Sequence, residues 1–150
     1  MLEINEPATI KNTVKFFEKG LERYETMCAG RYNIHGLNYE NVKVNSSTNT
    51  SAVANRYNLI IAFNDRLACV KPAIDNCTSR QEKPYKLILE LKYLKHLSSW
   101  DVASRIGYGH TQFNKLRKQA LLQFADIFLM EQLKQGVKDI LDLHAYVEVE

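Results

Sequence analysis

The sequence predicts an all-α protein, a helical bundle that carries a helix-turn-helix in its last third. Three observations predict it. Apolar residues return every three or four positions along most of the 150 residues, the period of helices with one buried face. Only 6 Gly and 3 Pro are present, too few for the turns of a sandwich or barrel. A hydrophobic fraction of 45%, with 8 Tyr and 6 Phe, suffices to close a core and argues against general disorder.

The first element is an amphipathic helix from about Ala8 to Ala29, with Val14, Phe17, Leu21, Tyr24 and Cys28 inward. Pro7 suits its start and Gly30 its stop. Glu18, Glu22 and Glu25 are expected to pair with Lys15, Lys19 and Arg23 on its solvated faces. Phe16 widens its apolar surface, for packing or for self-association. Residues 31–51 break the pattern: Asn45 to Ser51 reads as a loop, after a short extended piece at Tyr39, Val42 and Val44. The chain then divides into residues 1–50, a semi-independent N-terminal helix and polar loop, and residues 51–150, the helical core.

A second helix opens at Ala52, capped by Ser51, with Val53, Tyr57, Ile60, Ile61, Leu67 and Val70 on one stripe. Pro72 is expected to kink or end it at Lys71. After the polar connection Cys77 to Lys83, Pro84 opens a third helix that carries Tyr85, Ile88, Leu91 and Leu94 and ends near Leu97. A short helix follows from about Ser99 to Ile106, then Gly107-Tyr108-Gly109. A long helix runs from about Thr111 to Lys134, with Phe113, Leu116, Ala120, Phe124, Ile127 and Met130 or Leu133 inward. Gly136 interrupts it, and Val137 to His144 is expected to add a turn or two. The alternating run Ala145 to Glu150 reads as a fraying end or an edge strand in an oligomer.

The segment from about 98 to 123 carries the chemistry. Ser98 and Asp101 have capping-box spacing, Gly107 fits a left-handed turn, and the short helix is expected to bury Trp100 (or its edge), Val102, Ala103 and Ile106 against Phe113, Leu116 and Ala120. The alternative for Trp100 and the stripe of Phe113, Phe124 and Phe128 is a stacking platform for single strands. A short helix, a glycine turn and a second amphipathic helix form a helix-turn-helix, whose second helix enters a major groove. Its outward residues are His110, Thr111, Gln112, Asn114 and Lys115, followed by Arg117 and Lys118. Gln and Asn can each donate to and accept from adenine, and Lys can donate to guanine or phosphate. Between Ser98 and Gln123, Arg105, Lys115, Arg117 and Lys118 stand against Asp101 alone, an excess equal to the chain's whole formal charge of +3. Phosphate neutralisation needs that concentration of charge.

Other chemistry finds no pattern. His35, His96, His110 and His144 lack metal-ligand spacing, and no phosphate loop or nucleophile elbow is present, so neither cofactor nor enzymatic activity is expected. Cys28, Cys69 and Cys77 are odd in number and unpaired in spacing, as expected of buried thiols in a reducing cytoplasm. With no long apolar run and no apolar leader, a soluble cytoplasmic protein without membrane contact is predicted.

Residues Lys86 to Phe124 resemble region 4 of bacterial sigma factors. More closely, the chain resembles the ArpU-like late transcriptional regulators of phages and prophages of Gram-positive bacteria. The matching pieces are Lys11 to Phe17, Ile88 to Leu94, Ser99 to Tyr108 and Ala120 to Phe128, in that order. The resemblance implies a sequence-specific DNA-binding activator of late genes, acting with host RNA polymerase; the wide apolar surface of the N-terminal helix offers a seam for a homodimer. It places groove reading at His110, Thr111, Gln112, Asn114 and Lys115, with Arg117 and Lys118 nearer the phosphates. Gly109 departs from the Ser or Thr cap of sigma factors, so the cap is expected to move to Thr111 or to be lost. The alternatives are a small-terminase-like DNA-packaging subunit and a protein-interaction adaptor that does not bind DNA.

Overall fold

The structure, a computed structural model, describes residues 1–28 and 50–149. It is mostly α-helical, with one short two-stranded sheet. Residues 45–49 of the expected loop, the extended piece at Tyr39 to Val44 and the stop at Gly30 lie outside the described residues, while Thr50 and Ser51, expected in the loop, are already helical.

Strand β1 (Leu2–Ile4) leads into helix α1, which begins at Glu6–Lys15, two residues before the expected start. Asn5 caps it: its side chain accepts from the Ala8 amide at 3.1 Å, with Pro7 in the first turn. The helix then passes through a π-helical turn, Phe16–Gly20, and continues over residues 21–28. That turn admits one extra residue, so Phe16 and Phe17 both reach the core above Leu21, Tyr24 and Cys28. Thr9 and Thr13 extend the buried stripe, their hydroxyls donating to the Asn5 and Thr9 carbonyls at 2.8 Å. The expected Lys–Glu pairing on α1 does not form among the described residues. Lys15, Lys19 and Arg23 line one groove, against residues 141–143, and Glu18, Glu22 and Glu25 line another, against Tyr93.

Helix α2 is Thr50–Asp75. It starts before Ser51, which therefore lies in its first turn instead of capping it. Pro72 does not end it. The helix continues one turn because Ala73 and Ile74 are fully buried, a gain that outweighs the hydrogen bond a proline cannot make. The core-facing residues are Phe63, Arg66, Cys69, Val70, Ala73 and Ile74; of the expected stripe only Val70 is fully inside, and Ile61 is exposed.

Arg80 and Lys83 exchange backbone hydrogen bonds in the connection that follows. Helix α3, Tyr85–Leu89, is prolonged by a second π-helical turn, Glu90–Leu94. Pro84 is its cap residue and not its first helical one, and the helix stops three residues short of Leu97 because His96 turns left-handed (φ 58°). Helices α4 (Ser99–Ile106) and α5 (His110–Gln135) complete the bundle. Along α5 the expected apolar stripe holds through Phe124, but Met130 and Leu133 are exposed while Glu131 and Gln132 are buried.

After Gly136 (φ 70°) the chain does not resume a helix. Residues 137–145 form an extended strap, because its backbone is claimed by side chains from the bundle. The Gln132 amide donates to the Leu141 carbonyl at 2.8 Å and accepts from its amide at 2.9 Å. Asn12 donates to the Leu143 carbonyl at 3.1 Å. Buried Arg66 donates to the Asp139 carbonyl at 2.9 Å and to the Tyr24 hydroxyl at 2.9 Å. Strand β2 (Tyr146–Glu148) then pairs antiparallel with β1, Leu2 opposite Glu148 and Ile4 opposite Tyr146. The alternating C-terminal run thus finds its partner within its own chain, instead of fraying or pairing in an oligomer.

The core is one cluster built around rings. Phe16 packs 5.1 Å from Phe128, and Phe17 lies 4.6 Å from Phe124 and 4.7 Å from Tyr93. The N-terminal helix is therefore a wall of the bundle and not a separate arm.

Candidate nucleic-acid interface

Helix α4 is set by its two ends. The Ser98 hydroxyl accepts from the Asp101 amide at 3.1 Å, the capping bond the sequence predicts. At the other end Gly107 is left-handed (φ 78°), and the Tyr108 amide reaches back to the Ala103 carbonyl at 3.0 Å. A Cβ at position 107 would meet nothing within 4 Å, so glycine is required there by backbone conformation and not by space. The Tyr108 hydroxyl donates to the Gln81 carbonyl at 2.9 Å, tying the turn to the connection before α3.

Helix α5 begins at His110, with Gly109 extended at the cap position and no side-chain cap. The cap is lost, and Thr111 does not replace it. Phe113, Leu116, Ala120 and Leu121 face the core with Val102 and Ala103 of α4.

This leaves the outward residues in two groups. Thr111, Gln112, Lys115 and Lys118 are exposed, together with Gln119, which the sequence reading passed over. Gln119 follows Lys115 by four positions, so helical spacing alone places it on the same side. His110, Asn114 and Arg117 are half-buried. The Arg117 guanidinium donates to the Tyr93 hydroxyl at 3.3 Å, turning toward α3 and away from the open face. Burial pushes the Tyr93 phenol pKa up, and Arg117 partly opposes it.

Trp100 departs from expectation. It is 70% exposed instead of buried, and its ring lies parallel to His110 at 4.3 Å. At 3.6 residues per turn it sits roughly 120° around α4 from the stripe of Val102, Ala103 and Ile106. The helical angle was legible in the sequence and outweighs the residue's hydrophobicity. His110 consequently turns its ring onto Trp100 instead of outward with Thr111.

Arg105, Lys115 and Lys118 make no ion pair among the described residues, so their charge is available to a ligand. The cysteines offer no comparable chemistry: all three are buried, and burial pushes the Cys77 thiol up to about 12. Among the described residues no group of three or more His, Cys, Asp and Glu is placed to hold a metal, and no helix is long and apolar enough to cross a membrane. Compared with models of known protein families, with curated proteins and with solved structures, the chain matches none.

Proposed function

We propose that the protein is a transcriptional regulator that binds duplex DNA with α5 in the major groove and α4 braced across it, a helix-turn-helix of the sigma region 4 kind. One observation carries this reading: Thr111, Gln112, Lys115 and Lys118 form an exposed row over the first turns of α5, with no acidic residue before Asp126. Amide and ammonium groups in such a row suit base edges, and the uncompensated cations suit phosphates. Gln112, Lys115 and the half-buried Asn114 are the base readers, with Thr111 beside them. Lys118 and Arg105 meet the backbone, while Arg117 braces α5 against α3. The chain works by binding and not by catalysis. In keeping with its resemblance to ArpU-like regulators, it acts as an activator of phage late genes beside host RNA polymerase, in the cytoplasm of the bacterial host.

Selection of bound duplexes from a random pool would define the preferred site. Replacing Gln112, Asn114 and Lys115 by alanine should erase that preference, at about 1–3 kcal/mol per lost base contact. Lys118→Ala should weaken all duplexes alike and lower the salt slope by about one. A triple variant that still enriched the same sequence at unchanged affinity would refute the assignment. A ring of many copies in solution would point instead to a packaging subunit.

A further inference from the structure

Trp100 is the most exposed aromatic among the described residues, where every Phe and the rings of Tyr24, Tyr85 and Tyr93 are buried. It is not loose. Its ring is stacked on His110 with an interplanar angle of 17°, and the His110 ring in turn lies 6.3 Å from the buried Phe113 ring. Beneath the stack, His110 Nδ1 is buried without a hydrogen-bond partner. The fold thus leaves a ring nitrogen dry and an indole wet, and the result is a flat apolar plate fixed at the first residue of the basic helix. Among the described residues Arg105 on the same short helix and Lys115 and Lys118 on α5 make no ion pair, and Asp101 is the one acid on these two helices before Asp126. The occupant complementary to an apolar plate with an N–H edge, at the start of a helix with a net positive first half, is a sugar–phosphate backbone.

We propose that Trp100 is a DNA-backbone contact. Its open face packs against a deoxyribose beside the groove entered by α5, and its indole N–H donates to a phosphate oxygen. His110 is the positioning residue that holds the plate flat. The inference rests on the DNA-binding reading of α5 and adds to it a contact that is indifferent to base sequence, so a mixed-sequence duplex is a sufficient probe.

The chain has a single Trp, so its emission reports this site alone. Titrating the full chain with mixed-sequence duplex at low salt should change the emission in a saturable way. Trp100→Ala should weaken binding about tenfold, as for a truncated aromatic anchor. It should leave the salt slope at its wild-type value, because no charge is lost, whereas Lys118→Ala lowers the slope. His110→Ala should loosen the indole, lowering its emission anisotropy and the affinity, and His110→Phe should restore both. Circular dichroism checks that each variant keeps its helix content. If duplex binds by gel shift while the emission stays unchanged, or if Trp100→Ala binds with wild-type affinity, the backbone contact is overturned and the DNA reading of α5 stands. Loss of polymerase binding alone in Trp100→Ala would make the indole a protein contact and overturn it equally. If no duplex binds at all, both readings fail together.

Discussion

His144 stands between two carboxylates, its Nδ1 2.5 Å from Asp142 and its Nε2 2.6 Å from Asp126. Both ring nitrogens face acceptors, which favours the doubly protonated ring. Burial pushes the His144 pKa down, but the hydrogen bonds to Asp126 and Asp142 outweigh it and the pKa rises above its ordinary 6.5. For Asp142 burial works upward, but the Tyr146 hydroxyl and His144 prevail and hold it below its ordinary 3.8. A raised histidine contributes stability that is complete below its unfolded pKa and fades as pH climbs through the folded one. A lowered carboxylate contributes above its unfolded pKa and fades on acidification. The strap is therefore held best between 3.8 and 6.5, and the melting temperature should fall as pH rises beyond that window. His144→Gln should flatten the alkaline side of the profile; thermal melts across the range with identical slopes for both proteins would sink the idea. At this scale the sequence is least informative. His144 reads as an isolated histidine until Asp126, from another element, is brought beside it. The exposed lysines of α5 are legible because helical spacing alone decides their side.

Among the elements, periodicity locates every long helix of the described residues, because a buried stripe needs only local spacing. It fails where a helix changes its winding. The π-helical turn at Phe16–Gly20 inserts a residue without altering composition, so Phe16 is buried beside Phe17; Thr9 and Thr13 keep the regular spacing below Phe17 and are overlooked only because they are polar. Pro72 misleads for a related reason: its local rule is real, but burial of the next two residues overrides it. The end of α3 carries a testable strain. His96 is exposed and left-handed, while the Leu97 amide closes the turn onto the Leu91 carbonyl at 3.0 Å. A non-glycine residue there costs about 1 kcal/mol, part of which returns as greater freedom of the unfolded chain. His96→Gly should therefore stabilise the fold by about 0.5 kcal/mol, seen as a higher urea midpoint at an unchanged m-value. A lower midpoint would show that the histidine ring contributes more than its backbone costs.

At the scale of the whole molecule, the bundle is fastened by polar side chains that reach across it. Gln132 lies on a helix where the sequence pattern assigns it to the surface, yet it is fully buried and satisfies both backbone groups of Leu141. No local signal marks it, because its partner is a strap whose path depends on the rest of the fold. Gln132→Leu keeps the volume but orphans those groups, at about 1–3 kcal/mol for each one left dry. Equilibrium urea unfolding should show the loss, and unchanged stability would mean that water replaces the amide. The closing of the core between the first helix and the last has a further consequence, one of timing. Phe16 and Phe17 find their partners Phe124 and Phe128 only when more than a hundred further residues have been added. At about 5–20 residues per second on the ribosome, the aromatic face of α1 waits roughly 5–20 s for its cover. Closure of this core thus waits for α5, and a nascent chain halted before it holds an uncovered row of rings for chaperones to protect.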